Sequence, residues 1–223
     1  MKKIFLNISL CVICFFALLY GIWNVKHVYG ESNPDAALVA NESIKVQYAE
    51  SADGFLNINV ADLLILEQNS DIIVKAKVLE DRTMSARSTK TKLCIKEVLS
   101  SVNANLSEGD DIYLIEPVTL LRGEVYDTNG YQMAHTGEEY IFLLKNLECV
   151  DGYCYTKEQE ITYMPTSVYY SKYAVSYMEI PKILNSRAVL YNDIKDYAIL
   201  TEDNNTLSTY ETLMKQVKKK YNK

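Results

Sequence analysis

The sequence contains only two histidines, His27 and His135, and this scarcity limits the chemistry open to it. A zinc-binding helix that needs two histidines one turn apart is excluded by their spacing. A Ser-His-Asp triad would depend on His135, which lies in a stretch without a nucleophile elbow. Glycine-rich phosphate loops, Walker motifs and EF-hand patterns are also absent from the sequence. We therefore expect no catalytic residue, no metal site and no cofactor.

Positive charge is scarce after the first thirty residues. Three of the 23 lysines and arginines precede residue 31, whereas all 29 acidic residues follow it. Residues 31–223 therefore carry 20 basic and 29 acidic groups, a formal charge of −9. A domain this acidic has no broad positive field to attract a polyanion. We expect no nucleic-acid partner.

Charge of either sign is missing from Ile4 to Trp23. Twenty uncharged residues can cross the roughly 30 Å hydrocarbon core of a bilayer as a helix. The lysines at positions 2 and 3 predict that the amino end stays inside and the rest is exported. A signal peptide cleaved after Gly30 is the alternative. The predicted location is the cell membrane, as a single-pass protein with its C-terminal domain outside, or the secreted fraction.

The exported part divides into a polar tether at residues 31–54 and a β-rich domain at residues 55–223. A short helix in VADLLILEQ, capped by Asn59, opens the domain, and a capping box of Ser208 and Glu211 predicts a helix at its end. Alternating apolar and polar residues predict strands between the two helices. The clearest are DIIVKAKVLE, TKTKLCIKEVLSS, DIYLIEPV, EYIFLLKNLE and QEITYMP. Five to seven strands with flanking helices indicate a mainly β fold, either a small barrel or a compact sandwich.

Two cysteines, Cys149 and Cys154, flank an Asp-Gly pair in the segment CVDGYC. Asp-Gly is a strong signal for a two-residue hairpin turn. The cysteines would then face each other about 4.5 Å apart, at the short end of the range that a disulfide bridges. The spacing fits neither a thioredoxin-type pair nor a zinc site. We predict a disulfide, with two reduced thiols as the alternative.

Tyrosine is abundant, and it is concentrated in YMPTSVYYSKYAVSY. In an extended strand, Tyr169, Tyr173 and Tyr177 would share one face. They are candidate binding residues for a peptide, glycan or protein, and the alternative is a half-buried sheet face. The long connection from Thr119 to Gly137 is the second candidate, because long loops on a barrel often carry function. Its candidate residues are Arg122, Tyr131 and His135.

Four segments between residues 70 and 145 share a pattern with a known family. They are NSDIIVKAKVLED, TKTKLCIKEVLSS, LSEGDDIYLIEP and GEEYIFLLK. Their order resembles that in the netrin-like domain of tissue inhibitors of metalloproteinases, and also that in uncharacterised exported proteins of Gram-positive bacteria. The matching positions are Asp71, Ala76, Val78, Ile95, Val98, Leu99, Gly109, Asp110, Ile112, Leu114, Gly137, Tyr140, Ile141 and Phe142.

This resemblance implies a five-stranded barrel of the oligonucleotide/oligosaccharide-binding (OB) type. In the inhibitors, a cysteine at the mature amino terminus chelates the protease zinc. Here neither Gly30 nor Glu31 is a cysteine, and the family's amino-terminal disulfide pattern is absent. The resemblance therefore implies a fold but not an activity.

Three functions follow as hypotheses. The leading one is a non-catalytic binding domain, tethered to the membrane or secreted, whose partner is an extracellular protein, a peptide or a glycan. The first alternative is an extracellular protease inhibitor or regulator that inserts residues 119–137 into its target. The second alternative is a hydrolase that uses His135 together with carboxylates.

Overall fold

A computed structural model describes residues 15–20, 44–49, 60, 62–85, 87–102, 105–121, 123–148, 152–176, 180–183 and 188–222. Residues 15–20 are helical, and their side chains are exposed. The rest of the predicted membrane segment, Ile4–Trp23, lies outside these ranges. Among the described helices, none combines the length and the apolar character needed to cross a bilayer. The membrane-spanning role of Ile4–Trp23 stays a prediction.

The described residues form a mainly β structure. The strands in chain order are β1 (Lys45–Ala49), β2 (Ile72–Met84), β3 (Thr89–Ser101), β4 (Asp111–Glu116), β5 (Val118–Leu121), β6 (Glu124–Thr128), β7 (Glu139–Asn146), β8 (Thr162–Pro165), β9 (Lys172–Ala174), β10 (Ile180–Ile183), β11 (Ala188–Leu190) and β12 (Tyr197–Thr201). The helices with full bounds are α1 (Leu63–Gln68), α2 (Lys157–Glu160) and α3 (Asn204–Tyr221), and a 3-10 turn covers Tyr191–Asp193.

Five strands close into a barrel in the order β2-β3-β4-β8-β7, because β7 also pairs with β2. Strands β2, β3 and β4 form an antiparallel meander. Strand β8 runs parallel to β4 and antiparallel to β7, and β7 is antiparallel to β2. Strand β9 pairs with β7 at Tyr140–Phe142. Of the two architectures that the sequence predicted, the barrel is the one present.

The barrel interior follows from the two-residue period of its strands. On β2, Val74, Ala76 and Val78 are buried in one apolar core, whereas Lys75 and Lys77 between them are only partly buried. This is the alternation that predicted the strand. Strand β2 continues to Met84, four residues beyond the predicted DIIVKAKVLE, and leaves only four residues before β3.

Strand β7 is buried on both faces. Tyr140, Phe142 and Leu144 point into the barrel core. Ile141 and Leu143 belong to a second core, which contains residues of α1, β9, β12 and α3. A continuous apolar run is what a strand covered on both sides requires. Each of these side chains contributes about 1.5–3 kcal/mol of burial free energy, so β7 anchors the helical layer to the barrel.

A second sheet has the order β11-β1-β6-β5, and β10 pairs with β12 in a separate ribbon. Strand β1 lies inside the second sheet, parallel to β6 and antiparallel to β11. Ile44 and Val46 are buried in a third core with Val125 and Leu200. The prediction of a tether over residues 31–54 is therefore wrong for residues 44–49. The alternation of IKVQ was too short to stand out from its polar surroundings.

The helix caps differ from the predicted ones. Asp62 caps α1 by accepting a 2.9 Å hydrogen bond from the backbone N–H of residue 65, and the predicted cap Asn59 lies outside the described residues. Asp203 caps α3, so the predicted capping box of Ser208 and Glu211 is wrong and these residues lie inside the helix. The last helix predicted from the sequence is present, and one face of it is buried through Tyr210, Leu213, Met214 and Val217.

Candidate functional site

A buried polar cluster lies where β2, β3 and β4 meet the segment that follows β6. At its centre is Glu116, the last residue of β4, whose side chain is fully buried. Its carboxylate accepts hydrogen bonds from the Thr91 hydroxyl, the Tyr131 hydroxyl at 3.1 Å and the Ala134 backbone N–H at 2.8 Å. The Arg82 guanidinium lies 3.8 Å from the same carboxylate. A buried charge requires such partners, and Glu116 has them.

Two cations hold the segment after β6 against the barrel. The Arg82 guanidinium also donates to the backbone carbonyl of Ala134, whose side chain belongs to the barrel core. The Lys172 ammonium donates to the backbone carbonyl of Gln132 at 2.8 Å. That ammonium lies 5.4 Å from the ring centre of Tyr131 and 5.2 Å from that of Tyr140. This chain segment therefore closes one end of the barrel as a fixed part of the fold.

His135 and Tyr131, two predicted binding residues, are parts of this closure. Tyr131 is buried, and burial together with the neighbouring Glu116 carboxylate raises its pKa well above the usual value. Its hydroxyl therefore remains a neutral hydrogen-bond donor. His135 is half-buried, and its backbone N–H donates to the Tyr140 hydroxyl at 2.9 Å. Among the described residues, no group of three or more His, Cys, Asp or Glu side chains could hold a metal ion.

The predicted tyrosine face does not form as one strand. Residues 168–170 make a turn, and β9 contains only three residues. Tyr173 is fully buried and stacks on Tyr210 of α3, with ring centres 5.4 Å apart. Tyr169 is half-buried, and its ring centre lies 5.8 Å from that of Tyr170. Tyr177 lies outside the described residues. The sheet-face alternative explains Tyr173 better than an exposed binding surface does.

The long connection from Thr119 to Gly137 is largely folded. It contributes β5 and β6, which pair as an antiparallel hairpin. The hairpin therefore closes near Gly123. Asn129 and Gly130 form a second turn, with φ values of 52° and 77°. Arg122 lies outside the described residues.

In this second turn, Gly130 cannot be substituted without a steric clash. Its N–H donates to Asp127, and its carbonyl accepts a 2.9 Å bond from the Leu200 N–H. A Cβ at Gly130 would collide with the backbone carbonyl of Leu200, whereas one at Gly109, with a similar positive φ, would meet open space. We expect Gly109→Ala to cost about 1–2 kcal/mol through φ alone. Gly130→Ala should cost about 1–3 kcal/mol more through overpacking.

Urea unfolding of the two alanine variants tests this difference. Gly109→Ala is the matched control, because both glycines lie in turns and only Gly130 faces neighbouring backbone. Equal losses of unfolding free energy in the two variants would contradict a close approach between the turn and β12.

The outer face of β3 and β4 is partly exposed. Its side chains are partly exposed and belong to none of the three cores. They are Lys90, Lys92, Cys94, Tyr113 and Ile115. Lys92 forms a 2.8 Å ion pair with Asp111, and this bond raises the pKa of Lys92 above its usual value. Lys90 lies 4.9 Å from the ring centre of Tyr113. This face combines aromatic, aliphatic and charged groups.

A second exposed feature, here called the α2 corner, covers Tyr153–Glu160 between β7 and β8. Thr156 caps α2, and Gln159 completes a capping box with it. The Gln159 amide also exchanges hydrogen bonds of 3.2–3.3 Å with the Tyr153 hydroxyl. Tyr153 packs edge to face on Tyr155, with ring centres 5.5 Å apart. The ring of Tyr153 is thus oriented although half of the residue is exposed.

The α2 corner joins the β3–β4 face through an ion pair. Glu158 of α2 lies 2.6 Å from the Lys90 ammonium, which in turn covers Tyr113. The sequence reasoning missed Tyr113, Tyr153 and Lys90. The capping box Thr156-x-x-Gln159 could have indicated the α2 corner from the sequence. It predicts that a helix begins directly after the segment that contains Tyr153 and Tyr155.

The CVDGYC segment is only partly described. Gly152 has a φ of 82°, as a turn glycine should. The predicted hairpin has no second strand in the described residues, because residues 153–156 belong to no strand and lead into α2. Cys154 is exposed and has no disulfide partner among the described residues, and Cys149 lies outside them. The disulfide stays a prediction: peptide mapping without reduction should find Cys149 and Cys154 joined, and two alkylated cysteines would contradict it.

A scan of the chain against protein-family models finds no match, and a search of curated proteins finds no similar sequence.

Proposed function

We propose that this chain is a non-catalytic binding domain, tethered to the membrane or secreted, that contacts an extracellular protein, peptide or glycan. The observation that carries the proposal is the partly exposed β3–β4 face next to the α2 corner. Helices α1 and α3 pack on the β7 side of the barrel. The outward side chains Lys90, Tyr113 and Ile115 keep part of their surface exposed.

The strand order supports the OB type of barrel that the netrin-like resemblance implies. The first three barrel strands form a meander, and the third strand pairs in parallel with the fifth. In barrels of this type the face of the second and third strands and the loop between the fourth and fifth bind ligands. Here these elements are β3, β4 and the α2 corner. The analogy supports a position for the site and supplies no ligand.

The surface charge supports a partner other than nucleic acid. The exported part has a formal charge of −9, and two lysines of the β3–β4 face are paired with Glu158 and Asp111. The protease-inhibitor alternative has no such support, since residues 119–137 mostly form β5, β6 and the closure of the barrel. His135 likewise contributes a backbone bond to that closure, which favours a structural role over catalysis.

Two measurements test the proposal. A reporter enzyme that is active only outside the cytoplasm, fused after Lys223, should be active, and a cytosolic reporter should not be. The purified chain should bind to the envelope of the producing cells, and Tyr113→Ala with Ile115→Ala should reduce this binding, whereas Tyr126→Ala on β6 should not. Hydrolysis of an esterase or peptidase panel that disappears in His135→Ala would overturn the proposal.

A further inference from the structure

We propose that the exposed ring of Tyr153 is a stacking platform for a neutral oligosaccharide. This inference rests on the proposed function and names its ligand class. Tyr153 is the most exposed tyrosine of the described domain outside residues 15–20, with half of its surface in water. A flexible surface tyrosine would need no explanation. This one is held on two sides, by the Gln159 amide and by the edge of Tyr155.

Fixing the ring before a ligand arrives lowers the entropy lost on binding. The Gln159 side chain that fixes it is itself held, because its oxygen accepts a 2.9 Å bond from the Thr156 N–H. The Tyr155 hydroxyl donates to the backbone carbonyl of Glu148, which restrains the second ring. One restraint therefore comes from Gln159 on α2, and the other comes from Glu148, which precedes the α2 corner. The result is a rigid aromatic surface next to hydrogen-bonding groups.

A pyranose ring fits such a surface. Its flat face presents C–H groups that pack on an aromatic ring, while its hydroxyls need donors and acceptors at the rim. Glu158 lies beside Gln159 on α2, and its carboxylate is exposed and paired with Lys90. The Glu158 carboxylate supplies an acceptor, and the Lys90 ammonium supplies a donor. An oligosaccharide long enough to extend past Tyr153 would reach the β3–β4 face through them.

The charge of the surface selects a neutral ligand. The acidic exported part repels an acidic polysaccharide. A strongly basic peptide would meet Lys90 and Lys92, and a strongly acidic one would meet Glu158 and Asp111. A ligand with many hydroxyls and no charge avoids both conflicts. The same field disfavours an oligonucleotide.

The test uses the full-length chain in lauryldimethylamine oxide micelles, because this detergent has no sugar headgroup. The probes are tetrasaccharides of β-1,4-linked glucose and of β-1,4-linked N-acetylglucosamine, titrated calorimetrically. We expect binding of at least one probe, and at least a roughly tenfold weaker Kd for Tyr153→Ala. Tyr153→Phe should keep most of the affinity, since the ring remains. Tyr126→Ala is the control tyrosine on β6, and circular dichroism checks that each variant is folded.

The outcomes separate the two proposals. Failure of the native chain to bind either tetrasaccharide, or equal binding by Tyr153→Ala, overturns the oligosaccharide inference. Binding of a neutral peptide probe at Tyr153 without sugar binding also overturns it, and leaves the proposed binding function intact. Cleavage of a tetrasaccharide by the native chain, lost in His135→Ala, overturns the proposed function itself.

Discussion

Replacement of Glu116 by alanine should destabilise the protein by about 3–5 kcal/mol. The carboxylate is fully buried and is the common acceptor for Thr91, Tyr131 and the Ala134 N–H. Its loss leaves the buried Arg82 guanidinium without its carboxylate, and three donors lose an acceptor. Because unsatisfied buried groups keep their desolvation cost, the loss exceeds the value of the bonds themselves. Urea unfolding at neutral pH, followed by circular dichroism, measures the effect.

Two controls make this result specific. Asp111→Ala removes the carboxylate of an exposed ion pair on the same strand and should cost less than about 1 kcal/mol. The double variant Arg82→Met with Glu116→Leu removes both buried charges together and should recover much of the stability that Glu116→Ala loses. A loss below 1 kcal/mol in Glu116→Ala would show that the carboxylate is hydrated and the barrel end open.

The barrel was predictable because its strands carry strong local signals. The alternation in β2 and the continuous apolar run of β7 depend only on neighbours in the sequence. The closing of the sheet into a barrel has no such local signal. It depends on β7 pairing with β2 in a register that joins Ile72 to Leu144, 72 residues further along the chain. Sequence periodicity identifies both strands but cannot show that they pair.

The candidate site was harder to predict, because exposure depends on what the rest of the chain covers. Tyr173 and Tyr153 are the same residue type in similarly tyrosine-rich stretches. Helix α3 covers Tyr173, whereas half of Tyr153 is exposed. The short strand β1 was missed for a related reason, since its buried side chain Val46 acquires its meaning only between β6 and β11. Local propensity does not carry this information.

A second buried carboxyl, that of Asp127 on β6, has fewer hydrogen-bond partners than Glu116. It is almost completely buried, and one oxygen accepts only a 3.3 Å bond from the Gly130 N–H. Its other oxygen has no hydrogen-bond partner in the described residues. Burial raises the pKa of Asp127 from 3.8 to about 7, and the Gly130 bond opposes this only in part. The folded protein therefore favours the protonated acid over the carboxylate.

The raised pKa makes the fold less stable as pH rises. Below about pH 4 the acid is protonated in both the folded and the unfolded chain, and no penalty exists. Between pH 4 and 7 the unfolded chain releases the proton that the folded chain retains. The free energy of unfolding then falls by about 1.4 kcal/mol per pH unit, which reaches about 4 kcal/mol near pH 7. Above pH 7 both states are ionised, and the penalty remains constant.

Asp127→Asn should remove this pH-dependent penalty. The amide keeps an oxygen for the Gly130 N–H and carries no charge, and its unpartnered nitrogen replaces an equally unpartnered acid hydroxyl. We expect unfolding free energies close to those of the native protein at pH 4, and up to about 4 kcal/mol higher at pH 8. Urea unfolding at both pH values measures the difference, with Asp196→Asn as an exposed control that should change stability by less than about 0.5 kcal/mol. If Asp127→Asn were no more stable than the native protein at pH 8, the carboxylate would have to be satisfied in the folded state, and the dry environment between β6 and the Asn129-Gly130 turn would be refuted.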